Sequence, residues 1–125
     1  MDRPQSEQRI IIEMGMGNDL HGMDYTKAAG RAIEDAFRHS SLPIFGVTGI
    51  SHDQMRVQVT VGVQEPDKVD TNALAAFLPR GQASVTAVLG GLNVTDPGKA
   101  DVIVVATAAV EAFLPNQAAK WKLKG

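Results

Sequence analysis

Residues 24–39 read as a helix that dictates what must lie beside it. Asp24 can cap its start. Ala28, Ala29, Ala32, Ile33, Ala36 and Phe37 recur with the 3.6-residue period, and Lys27, Arg31, Glu34, Asp35 and Arg38 take the other side. A stripe made mostly of alanine lets the helix lie close to a sheet, and the chain offers strands for one. Arg9–Met14 is a β-branched run suited to a strand covered on both faces. In Met55–Val63, Val57, Val59, Val61 and Val63 alternate with Arg56, Gln58, Thr60 and Gly62, which gives one buried and one polar face. Residues 44–50 read as a further strand, paired with 55–63 as a hairpin across the His52 turn. Ala83–Leu89 and Asp101–Ala109 complete the set, the first interrupted by Gly90-Gly91 and the second preceded by the turn Asp96-Pro97-Gly98-Lys99. Pro66 fits the first turn of a second helix with Val69, Ala73, Leu74, Phe77 and Leu78 on its inner face.

The order β-α-β-β-α-β-β predicts an α+β fold, a mixed β-sheet with two helices on one face. At 125 residues the chain has room for one core. Residues 9–114 are read as a single domain, 1–8 as a flexible N-terminal tail and 115–125 as a flexible basic tail with Lys120, Lys122 and Lys124 beside Trp121. Two helices cannot cover both faces of such a sheet, and aromatics make up only 5% of the chain. The open face is therefore expected to pack on another subunit, in a homo-oligomer that is a trimer or a multiple of one.

Composition excludes several classes. Hydrophobic residues at 44% and charged residues at 21% are globular values. Twelve basic against 14 acidic residues leave a net charge of −2 with no basic stripe, so nucleic acid is not expected as a partner. Cysteine is absent, which removes disulfides, thiolate metal sites and cysteine nucleophiles. No apolar run reaches the roughly 20 residues of a membrane span. The first residues do not read as a signal peptide, and a soluble, cytoplasmic protein is expected.

The dense constellation is Gly15-Met16-Gly17-Asn18-Asp19-Leu20-His21-Gly22, read as a loop between the first strand and the first helix. Glycines there permit positive φ and close approach of a ligand. The following helix start favours an anion. Asp19 and His21, two apart, form a candidate acid–base pair, and Gly15, Gly17, Gly22 and Lys27 are candidate ligand-binding residues. The same residues also make a tight turn whose polar groups satisfy the backbone. A dinucleotide fingerprint would need glycine where Leu20 stands, and no G-K-[S/T] follows for a phosphate loop.

These eight residues fit G-x-G-x-D-x-H-G, and so the chain resembles a small uncharacterised family found in scattered bacteria and in plants. The resemblance extends over roughly residues 9–113 through Thr26-Lys27-Ala28-Ala29, Ser41-Leu42-Pro43, Leu78-Pro79-Arg80-Gly81 and Gly90-Gly91. It implies importance for Gly15, Gly17, Asp19, His21 and Gly22, and no reaction. In architecture alone the chain is similar to one unit of ring-opening amidohydrolases of the cyanuric acid hydrolase and barbiturase type. Those enzymes use Ser–Lys pairs, for which Lys27 and Ser84 are the nearest candidates.

Three functions fit. The first is a cofactor-independent hydrolase or proton-transfer enzyme acting on an anionic or cyclic amide metabolite. The second is a non-catalytic, oligomeric metabolite-binding or regulatory protein. The third, a metal site from Asp19, His21 and Glu13 or His52, has two certain ligands where catalytic zinc uses three. No metal and no cofactor are expected.

Overall fold

A computed structural model describes residues 7–38, 56–78, 82–95, 97–98 and 101–115. The elements are β1 (Glu7–Asp19), α1 (Tyr25–Arg38), β2 (Arg56–Val63), a 3-10 turn (Pro66–Lys68), α2 (Thr71–Phe77), β3 (Gln82–Leu89), β4 (Leu92–Thr95) and β5 (Val102–Pro115). They form an α+β fold with one mixed five-stranded sheet, ordered β1-β5-β2-β3, in which β4 also pairs with β5. The pairing is parallel between β2 and β3 and antiparallel in β1–β5, β2–β5 and β4–β5.

One face of the sheet is covered. Helix α1 packs over β1, β5 and β2, and α2 packs over β3. The alternating valines of β2 behave as their period dictates: Val59, Val61 and Val63 have no exposed surface, and neither has Val104 of β5. Ala28, Ala32 and Ala36 of α1 are buried completely against them. Both helix starts are capped by aspartate. Asp24 Oδ1 accepts from Lys27 N at 3.0 Å, and Asp70 Oδ1 accepts from Ala73 N at 3.0 Å.

Four expectations change. Strand β1 does not stop at Met14 but runs through both glycines to Asp19, so the expected loop of residues 15–22 shrinks to the turn after Asp19. Pro66 starts a 3-10 turn, and the α-helix begins after Asp70. Phe77, expected inside, is 81% exposed because α2 ends there, while Leu74 holds the core. Strand β5 extends past Ala109 to Pro115, paired on both sides by β1 and β2. Strand β4 is additional to the expected set. The expected strand 44–50 and the His52 turn lie outside the described residues; both edges of β2 are already taken, by β5 and β3. Among the described residues no helix is long and apolar enough to cross a membrane.

Candidate functional site

Gly15 and Gly17 are explained by packing. In β1 they face α1, where a methyl group at Gly15 would lie 2.3 Å from Ala36 N and one at Gly17 2.3 Å from Ala32 N. Glycine here lets helix and sheet backbones meet, which is why the facing helix residues are alanines. The helix fills the space a ligand was expected to take beside these two residues. Gly22 differs: its φ is +87°, followed by Met23 at +52°, so the turn into α1 is built from left-handed backbone.

Asp19 ends β1 on the covered face and is 2% exposed. Its Oδ2 accepts from the backbone N of Asp24 at 2.9 Å. Its Oδ1 lies 3.7 Å from Lys27 Nζ and 3.9 Å from Arg31 Nη1. A buried carboxylate requires such partners. Asp19 thus fastens the end of β1 to the first turn of α1. Arg31 Nη1 also donates to Asn18 O at 2.7 Å. Lys27 and Arg31 are spaced i, i+4, so the face they share on α1 is visible in the sequence, but the carboxylate that Arg31 faces is not.

His21 goes elsewhere. Its Nδ1 lies 3.1 Å from Asp101 Oδ2, and its side chain is 78% exposed. The expected Asp19–His21 pairing is replaced by two separate arrangements, Asp19 with the helix cations and His21 with Asp101. Register explains this: Asp19 pairs with Val104, so the chain just after Asp19 runs beside the chain just before Val102. Asp101 carries no signal of its own in the sequence; only the antiparallel β1–β5 pairing reveals it.

The lower-ranked candidates separate too. Ser84 Oγ donates to Gln58 Oε1 at 2.8 Å on the sheet face opposite the helices, whereas Lys27 belongs to the helix layer, so Ser84 and Lys27 do not pair. His39 and His52 lie outside the described residues, and among those described no group of three or more acidic or histidine side chains gathers as a metal site would require.

A second polar cluster was not legible in the sequence. Tyr25 Oη donates to Glu65 Oε2 at 2.9 Å and accepts from Asn93 Nδ2 at 2.8 Å, joining the start of α1 to the segment after β2 and to β4. The Glu65 carboxyl is held below its usual range by hydrogen bonds from Lys68 and then Tyr25.

The family description "conserved hypothetical protein", family Lin0512, matches residues 9–112. Among solved structures, the chain is similar to an FtsZ-like protein of unknown function from Nostoc punctiforme. The two share 38% identity with a TM-score of 0.76, over 89% of this chain and 98% of that one. No curated protein matches.

Proposed function

The chain belongs to the Lin0512 family of conserved hypothetical proteins, and we propose that its His21 end is a small-molecule site for cofactor-independent hydrolysis or proton transfer on an anionic or cyclic amide metabolite. The observation that carries this reading is the 3.1 Å contact between His21 Nδ1 and Asp101 Oδ2. A carboxylate on Nδ1 favours the tautomer that protonates that nitrogen, which leaves Nε2 as the proton acceptor. His21 is then the acid–base group and Asp101 its orienting partner. Lys27 and Arg31 stand by the same turn, with side chains 52% and 46% exposed, as counter-charge for an anion. Asp19 supports the site by holding the turn through its bond from Asp24 N.

The test is a turnover assay on a panel of cyclic imides, lactams and carboxylate esters, read by proton release. Replacing a positioned acid or base costs about 10²–10⁴-fold in rate. His21→Ala should lose that much, and Asp101→Asn should lose less while shifting the pH profile. Turnover untouched by His21→Ala contradicts the proposal.

One observation favours binding without turnover. An imidazole 78% exposed lacks the shielding from water that strengthens charge interactions in a closed site. Calorimetric binding of a panel compound that is never consumed, lost in His21→Ala, supports that second reading.

A further inference from the structure

The turn that carries His21 contains a residue its backbone disfavours. Strand β1 ends at Asp19, α1 begins after Asp24, and the bond from Asp24 N to Asp19 Oδ2 at 2.9 Å clamps the two ends together. Leu20, His21, Gly22 and Met23 span the clamp. The chain reverses there through two left-handed residues in succession, Gly22 at φ +87° and Met23 at φ +52°. Glycine adopts such angles freely. A residue with a Cβ finds only a small well there, and entering it costs free energy. Among the described residues Met23 is the one non-glycine residue with positive φ. Packing offers methionine little in return, since Met23 stays 38% exposed. Backbone strain that packing does not offset points to function.

His21 supplies the reason. Its side chain is 78% exposed, so neighbours do little to hold it, yet its Nδ1 lies 3.1 Å from Asp101 Oδ2. The direction of such a side chain is set by the backbone that carries it. Asp101 is placed by the β1–β5 register, which sets Asp19 against Val104. The freedom that remains lies in the span between Asp19 and Asp24. Glycine at position 23, beside Gly22, would leave two adjacent residues free in both halves of φ. A Cβ at position 23 confines the span to one arrangement.

We propose that Met23 is a positioning residue for His21. Its Cβ holds the turn in the left-handed form that seats the imidazole on Asp101, and the fold is less stable for it. This rests on the reading of His21 as the acid–base group, but its test does not require turnover.

Met23→Gly and Met23→Ala separate backbone from side chain, because both remove the thioether and only the first removes the Cβ. Each full-chain variant is measured in two ways. Urea unfolding gives a midpoint, and the NMR shifts of the His21 ring nitrogens, at a pH where the ring is neutral, give its tautomer. Met23→Gly should unfold at higher urea than Met23→Ala, because glycine relieves the strain. It should also lose the preference for a proton on Nδ1 that the wild type and Met23→Ala keep. A Met23→Gly variant that unfolds before Met23→Ala, or that keeps the wild-type tautomer, overturns the proposal. So does a wild type without that preference, or a Met23→Ala variant that loses it, since the thioether would then be what holds the ring. On any panel compound that is consumed, Met23→Gly should approach the rate and pH profile of Asp101→Asn, with Met23→Ala near wild type. Turnover absent from every protein, beside the expected midpoints and tautomers, removes the catalytic reading and leaves the positioning of His21 standing.

Discussion

An alanine methyl at position 17 would lie 2.3 Å from Ala32 N and 2.6 Å from Ala28 O, and neither backbone atom can swing aside as a side chain could. At position 22 the obstacle is instead the φ of +87°, with the nearest atom 4.0 Å away. The two glycines of one motif therefore fail differently. Gly22→Ala should cost about 1 kcal/mol in strain. Gly17→Ala must displace α1 and should cost more, in the range of about 1–3 kcal/mol or above for overpacking. Urea unfolding midpoints give the comparison; a Gly17→Ala variant milder than Gly22→Ala would mean that the helix does not rest on β1. The sequence did mark both positions as glycine-dependent. It assigned them to a loop because glycine is the strongest loop signal, and a glycine chosen for close packing carries the same letter. The clue was the spacing: Gly15 and Gly17 are two apart, as strand neighbours on one face are, and opposite them the helix supplies alanine every fourth residue.

Helix α1 and the valine strand β2 were legible because each has a strong period and a matching cap or boundary. Strand β4 was not, since its four residues are all exposed and carry no burial pattern. What fixes β4 is its pairing with β5, aided by the Asn93–Tyr25 hydrogen bond. Tyr25→Phe removes that bond, worth about 0.5–1.5 kcal/mol net, and the one to Glu65. A clear fall in melting temperature is expected, and none would mean the cluster is idle. The same cluster has a pH signature. Glu65 has its folded-state pKa depressed from 4.5, so its contribution to stability is present above that value and fades as acid carries the pH down through the folded pKa. The melting-temperature gap between wild type and Glu65→Gln should therefore be present at neutral pH and close in acid below the ordinary carboxylate range. A gap that widens in acid contradicts the assignment.

At the scale of the molecule, one layer of helices covers one face of the sheet, and the corner where β1, β5 and α1 meet is closed by the G-x-G-x-D-x-H-G segment. That segment divides its labour. Gly15 and Gly17 admit the helix, Gly22 turns the chain, Asp19 ties strand to helix, and His21 stands in solvent with Asp101 behind it. From sequence, Asp19 and His21 look like equals and both look solvated, because a glycine-rich stretch offers little to bury them. Burial of Asp19 comes from α1 folding back over β1, a contact between elements that no local pattern contains. Melting curves of Asp19→Asn and His21→Ala, side by side, test this division most directly. Asp19→Asn takes the charge out of a hydrogen bond worth about 1.5–3 kcal/mol when its acceptor is ionised and strips two cations of their counter-charge, which for a domain of this size lowers the melting temperature by about 5–15 °C. His21→Ala removes an exposed side chain and should stay within about 0.5 kcal/mol of wild type. Equal losses in both variants, or a stable Asp19→Asn beside a collapsed His21→Ala, would contradict the account.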